Sequence, residues 1–263
     1  MSDVTAILPI KGKSDLHRFN KILKPSFLDV YDLNLILITD EKIDDSNRIK
    51  VINDDLVFRS VNDARNSRGW FKQQVIKLKS WKYVDTEWML ILDADCFFLF
   101  QGSINNLFKN GKPIVSYVKD IKNQKWWLNS SKNINVELPS DGFCAVTPMF
   151  LNTKICKDLD QKYDLEELIY KHNCTEYSLY WLYGLKKGIN WSEMYSFGNL
   201  LNVAIWYKVD NSTEKTFQYF EDLLVKSKLV KPKMGLMQSN INFEESTDQI
   251  INKIIELLNI HKR

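Results

Sequence analysis

The sequence predicts an α/β fold in which a mixed, mostly parallel central sheet is flanked by helices. Two observations carry that expectation. Short apolar runs alternate with segments of helical period in a β-α-β order, the pattern of a parallel sheet covered on both faces. At 263 residues the chain also has the length of one α/β domain.

Residues 4–10 are short, apolar and β-prone, and a polar turn separates them from a helical segment over 14–28. Residues 33–39 form a second buried strand ending in Asp40-Glu41, and 49–53 a third. Over 70–84, apolar residues recur at Phe71, Val75, Leu78 and Trp81, close to helical period, with Gly69 as the entry. The opposite stripe holds Trp70, Gln73, Gln74 and Lys77. That stripe is either a solvated face or a row of donors brought near a site by the strand that follows. The strand is Trp88-Met89-Leu90-Ile91-Leu92, with a second apolar run from Cys96 to Phe100 behind it.

Beyond it, 114–118 reads as a strand and the Asn- and Lys-rich stretch 119–140 as a long loop or broken helix carrying Trp126-Trp127. Residues 143–147 read as a returning strand, 149–159 as a helix, and 176–185 as another with Thr175 as its N-cap. The segments 213–227 and 247–261 are amphipathic helices. The second ends in His261-Lys262-Arg263, which suits the helix dipole or, alternatively, a weak contact with a membrane surface.

Composition excludes some classes. Hydrophobic residues at 44% and charged residues at 26% describe an ordinary folded protein, and a net charge of +3 is too small to argue for nucleic acid. Cys96, Cys144, Cys156 and Cys174 show no Cys-x-x-Cys spacing. With no secretory signal they read as free thiols in a reducing, cytoplasmic setting. No apolar run approaches the ~18 residues of a membrane span. Eight Trp, eleven Tyr and fourteen Phe supply either core packing or a sugar-binding surface.

The chemistry points to Asp93-Ala94-Asp95. Two carboxylates interrupt one of the most hydrophobic stretches of the chain, where unpaired charge is costly. A divalent cation, Mn²⁺ or Mg²⁺, is the simplest neutralising partner and would meet a diphosphate there. Ligands of open α/β sheets sit outside the carboxyl ends of the strands, which adds Lys11 after the first strand and Asp40 after the second.

With the helix from Gly69-Trp70 through Gln73-Gln74 to Lys77-Leu78, the Asp-x-Asp strand behind it, and the later Thr175-Glu176-Tyr177-Ser178-Leu179-Tyr180, the sequence resembles GT-A-type glycosyltransferases. In particular it is similar to the poorly characterised bacterial glycosyltransferase-like proteins found with polysaccharide genes. The resemblance implies a Rossmann-like single domain, with residues 1–118 as the nucleotide-sugar half and 119–263 on the acceptor side. It implies that Asp95 holds the metal bridging the donor diphosphate, and that Asp93 contacts the ribose or the same ion. Lys77 with Gln73 or Gln74, beside Trp70, would reach phosphate or donor sugar. By fold geometry, Asp40 would read the base and Lys11 the diphosphate.

Glu176 is the candidate general base, with Asp141 before Gly142 as its competitor; an ordinary first-turn Glu and an ordinary turn Asp are the plainer readings. The implied partners are a nucleotide-sugar donor and a glycan or glycolipid acceptor. One departure stands out. The histidines are His17, His172 and His261, none in a metal motif, and Met237-Gln238-Ser239-Asn240 occupies the region where a late ligand is expected. A sugar-nucleotide nucleotidyltransferase and a non-catalytic binding module are the alternatives. Against the first, Pro9-Ile10-Lys11-Gly12-Lys13 is short of the glycine a phosphate loop needs.

Overall fold

The computed structural model describes residues 3–27, 33–60, 69–98, 104–143, 145–198, 201–205, 208–230, 234–237 and 247–262. Strand β1 (Val4–Pro9) leads into α1 (Gly12–Arg18), which continues through a π-helical turn over Phe19–Leu23 into α2 (Lys24–Phe27). Then come β2 (Asn34–Thr39), β3 (Ile49–Asn53), α3 (Gly69–Lys79) with a 3₁₀ turn over Ser80–Tyr83, β4 (Trp88–Ile91) and β5 (Cys96–Phe98). The short strands β6 (Phe108–Lys109), β7 (Lys112–Val115) and β8 (Tyr117–Val118) precede α4 (Lys125–Ile134), β9 (Gly142–Phe143) and β10 (Met149–Asn152). Helices α5 (Thr153–Lys162), α6 (Leu165–Tyr170), α7 (Glu176–Lys186) and α8 (Trp191–Met194) follow. The described chain closes with β11 (Ser196–Phe197), β12 (Leu201–Ile205), α9 (Thr213–Val230), β13 (Met234–Met237) and α10 (Thr247–Lys262).

The expected mixed sheet is present, ordered β10-β4-β1-β2-β3. The pairs β1–β2, β2–β3 and β1–β4 are parallel, and β10 runs antiparallel to β4. The chain moves outward from β1 to β2 and β3, then returns through α3 to place β4 on the other side of β1. The order therefore reverses between β1 and β4, and that reversal opens a crevice at their carboxyl ends. The central strands are apolar on both faces because both are covered: every residue of β1 and β4 is buried. Helix α3 packs against β1 and against α5, α6 and α7.

A second apolar cluster joins Ile22 and Phe97 to β12, β13, α9 and α10. Among the described residues no helix is long and apolar enough to cross a membrane. Cys96, Cys156 and Cys174 are free, buried thiols, as expected; Cys144 lies outside the described residues.

Two expectations change, and an open alternative is settled. Residues 149–152 are the antiparallel edge strand rather than the start of a helix, which begins only at Thr153. So short an apolar run, three residues before Asn152, fits either element, and the open edge of β4 decides in favour of the strand. The returning strand expected over 143–147 is reduced to Gly142–Phe143, paired with β8. Of the two readings of 119–140, a long loop or a broken helix, the second holds: a 3₁₀ turn over Ile121–Asn123 precedes the ten-residue α4, whose buried Trp127 and Ile134 anchor it; the tryptophan pair splits, with Trp127 at 1% exposure and Trp126 at 45%.

Candidate active site

Strand β4 ends in a tight turn. The Leu92 N–H still bonds the Ile7 carbonyl at 2.9 Å, and the Cys96 N–H then closes back on the Asp93 carbonyl at 3.0 Å. Asp at the first position of such a turn is favoured, and the turn hands the chain from the central sheet to β5. Asp93 and Asp95 are the first and third residues of this turn. From the far side, β13 donates the Met237 N–H to the Asp95 carbonyl at 3.3 Å. The backbone carrying both carboxylates is thus held by two sheets.

Asp93 and Asp95 line a cleft of about 250 Å³ together with Trp70, Lys77, Trp126, Thr147, Glu176 and Tyr177. That is near the lower end of ligand pockets, ~300 Å³. Lys77 is its hub. The ammonium lies 2.9 Å from Asp93 Oδ1 and 3.2 Å from Oδ2, and donates to Thr147 Oγ1 at 2.9 Å and to Glu176 Oε1 at 3.3 Å. Its three N–H bonds are spent within the protein, and it also sits 5.6 Å from the centre of the Tyr177 ring. Burial works to lower the Lys77 pKa, but Asp93, Tyr177 and Glu176 around it outweigh burial and hold it well above the usual lysine value. Lys77 is therefore a fixed cation.

Glu176 is 7% exposed. Burial raises its carboxyl above the ordinary glutamate value; Lys77 pulls it back and Asp93 pushes it up again. Its backbone N–H, the first of α7, is capped by Gln74 Oε1 at 3.3 Å. The expected cap Thr175 makes no such bond; its hydroxyl pairs with Ser178 Oγ at 2.7 Å. Because Glu176 N–H is a donor, the facing Gln74 atom must be oxygen, which leaves Gln74 Nε2 buried with no hydrogen-bond partner among the described residues.

The expected residues fall into two groups. Asp93, Asp95, Lys77, Trp70 and Glu176 meet in the cleft. Lys77, expected near phosphate or donor sugar, bonds Asp93, Thr147 and Glu176 at the cleft. Gln74 is behind Glu176 rather than in the cleft lining, and the half-buried Gln73 is also outside it. The stripe of α3 read as a solvated face or a donor row is neither throughout: Gln74 and Lys77 are buried while Trp70 is open.

Asp40 and Lys11 end adjacent parallel strands, as the strand-end rule requires, but neither lines the cleft. The Lys11 side chain lies over Gly69, its flexible end within the space a Cβ there would take. Asp141 is not in the cleft lining either: it accepts a 2.7 Å bond from the exposed Tyr117 hydroxyl on the β8–β9 ribbon. Thr147 was not legible in the sequence, because only the fold brings its hydroxyl between Lys77 and Tyr177, 2.8 Å from the latter. Residues 238–240 lie outside the described residues.

Among the described residues no three His, Cys, Asp or Glu side chains form a metal cluster. The described lining of the cleft nevertheless offers the donor type of a hard cation. Among those described residues three are carboxylates and one, Lys77, is cationic, and carboxylate oxygens are what Mg²⁺ and Mn²⁺ take.

No curated protein matches the sequence. Among solved structures the chain is similar to mouse xyloside xylosyltransferase 1, with 11% identity over 92% of this chain and 100% of that one and a TM-score of 0.44. It is also similar to the galactosyltransferase LgtC solved with donor and acceptor sugar analogues, at 12% identity, 97% and 95% coverage and a TM-score of 0.49. A third is the mannosyltransferase Ktr4p from S. cerevisiae, at 8% identity, 69% and 65% coverage and a TM-score of 0.47. At such identities and scores these likenesses carry no argument about chemistry, which rests on the cleft. A family model does match, over residues 1–197, and the chain belongs to that family, the family of unknown function DUF6492.

Proposed function

We propose that this protein is a metal-dependent glycosyltransferase of GT-A type. It would move a sugar from a nucleotide-sugar donor to a glycan or glycolipid acceptor in bacterial surface-glycan synthesis, in the cytoplasm or at the inner face of the membrane. One observation carries the reading: two turn carboxylates at the β1–β4 switch point share a cleft with a buried third carboxylate and with the Lys77 ammonium.

Asp95 and Asp93 would hold Mn²⁺ or Mg²⁺, which when bound supplies positive charge against a diphosphate leaving group. Lys77 orients Asp93, and draws Glu176 toward the same point. Glu176 is the base. Burial raises its affinity for a proton, which suits it to take one from an acceptor hydroxyl. As that oxygen bonds to the anomeric carbon, the bond from this carbon to the donor phosphate oxygen breaks, and the electron pair leaves with the diphosphate. Direct displacement of this kind inverts the anomeric centre.

The test is a thermal-shift screen of nucleotide sugars with and without Mn²⁺, followed by product analysis with a glycan acceptor. The expected result is a shift that needs both metal and Asp95, and an acceptor-dependent product. A nucleotide sugar that binds equally without metal, and equally to Asp95→Ala, would sink the metal bridge. Release of a sugar-1-phosphate with nucleoside triphosphate chemistry would instead identify a nucleotidyltransferase.

A further inference from the structure

Two side chains of the cleft take no part in the chemistry proposed above. Thr147 and Tyr177 both line it and are 4% and 1% exposed. Thr147 Oγ1 accepts an N–H of Lys77 at 2.9 Å and lies 2.8 Å from the Tyr177 hydroxyl.

Their hydrogens can be counted. Each hydroxyl carries one hydrogen, and a single bond joins the two oxygens. If Thr147 donates to Tyr177, the phenolic hydrogen is left over; if Tyr177 donates, the threonine hydrogen is. Lys77 takes up neither, because an ammonium only donates. Among the described residues neither hydroxyl makes a further bond. The pair therefore holds one O–H hydrogen without an acceptor, and a buried donor in that state is unfavourable. An oxygen that enters the cleft completes it.

An acceptor stands beside this donor. Lys77 also donates to Glu176 Oε1 at 3.3 Å. Two oxygens on different N–H bonds of one tetrahedral ammonium are about 5 Å apart at these lengths. One atom can bridge that gap, because hydrogen bonds between oxygens run about 2.7–2.8 Å. It must give a hydrogen to the Glu176 carboxylate and take one from the Thr147–Tyr177 pair. A hydroxyl or a water does both at a single oxygen. A carbonyl or phosphate oxygen has no hydrogen to give, and a protonated amine has no lone pair to offer.

We propose that the Thr147–Tyr177 pair seats the attacking hydroxyl: one lone pair of the incoming oxygen accepts from the pair while its hydrogen points at Glu176. Calling that hydroxyl attacking rests on the transferase reading; the seat for a hydroxyl stands without it. The oxygen's second lone pair bonds the anomeric carbon as its proton passes to Glu176, and the diphosphate departs with the electron pair of the broken bond. The seat selects an alcohol over a protonated amine.

Two experiments test this. Crystals of the full chain, grown without metal or nucleotide, are expected to show an ordered water within about 3.2 Å of Glu176 and of Thr147 or Tyr177. Thr147→Val and Tyr177→Phe each keep one hydroxyl hydrogen and should keep that water; the double variant, with none, should lose it. The second experiment uses water as the nucleophile, in hydrolysis of the nucleotide sugar that gives the largest Mn²⁺-dependent thermal shift. Each single variant should lower kcat by no more than about tenfold and the double variant by about a hundredfold, with KM for the nucleotide sugar close to wild type. Thr147→Ser, which keeps the hydroxyl, should match wild type in both experiments. An empty seat in the wild type, or a water that persists in the double variant, overturns the seat. A double variant that raises KM and spares kcat, or that loses no more than the single variants, overturns its role in attack. If the water is seated as expected and no nucleotide sugar binds, the transferase reading fails and the seat stands. If nucleotide sugars are turned over while the seat is empty, the seat fails and the transferase reading stands.

Discussion

Helix α3 carries two buried lysines that face opposite ways. Two residues advance a helix by about 200°, so Lys77 and Lys79 point to different sides, and each meets a buried glutamate. Lys79 pairs with Glu166, and Glu166 also accepts the Arg59 N–H at 2.7 Å and the Ser60 N–H at 3.4 Å. That pair is one cation to one anion, its remaining acceptor capacity goes to backbone, and neither side chain lines the cleft. Lys77 faces two carboxylates directly and a third close by, all open to the cleft. The two pairs are alike in burial and differ in balance. A buried Lys–Glu pair is therefore no sign of a site by itself; what differs is the opening beside it. The closed pair locks the segment after β3 onto α6, whereas the open one sets its charges in the wall of a cleft.

The sharpest break between them is in stability. Glu166→Ala leaves a buried lysine without its partner, which costs about 3–5 kcal/mol. At about 2–4 °C per kcal/mol for a chain of this size class, calorimetry should register a fall of roughly 6 °C or more. Metal binding by the folded fraction should be unchanged. Asp95→Ala is expected to do the reverse, cutting nucleotide-sugar turnover by at least about a hundredfold with the melting temperature close to wild type. Equal losses of both kinds in both variants would erase the distinction.

Removing the cations sharpens the comparison. Lys77→Met takes away the internal counter-ion and should raise the Mn²⁺ affinity of the cleft about tenfold by titration calorimetry. Lys79→Met should leave that affinity where it is. The smallest effect is a pH dependence. The folded state holds the Glu176 proton more tightly than the unfolded chain, whose ordinary value is 4.5. This contribution to stability is complete below the unfolded value and is lost as pH rises through the folded one. Glu176→Gln, whose oxygen still accepts from Lys77, should therefore melt progressively higher than wild type as pH is raised from 4 to 8, by a few degrees, while activity is lost. A constant difference across that range would remove burial as the cause of the raised affinity.

Most of the fold was legible because it follows from period and length. Strands β1 to β4 and helices α3, α7, α9 and α10 come from local apolar patterns that one window of sequence contains. The Asp-x-Asp turn was legible as charge inside an apolar run. The edge strand β10 was not: Met149-Phe150-Leu151-Asn152 is too short for period to choose, and its partner β4 lies some sixty residues earlier. The opposite faces of α3 were half legible. Periodicity separates Lys77 from Leu78, but it assigns polar residues to solvent, and here α7 and the β4 turn cover that stripe.

The sheet, its helices and the location of the carboxylate pair follow from local sequence, because hydrophobic period and the cost of charge in an apolar run act over a few neighbouring residues. It took the assembled fold to pair Lys77 with Asp93, to cap the helix bearing Glu176 with Gln74, and to seat Asp141 beside Tyr117. Those outcomes depend on which side chains arrive from elements up to about a hundred residues away. No local pattern encodes the charge balance that such arrivals create.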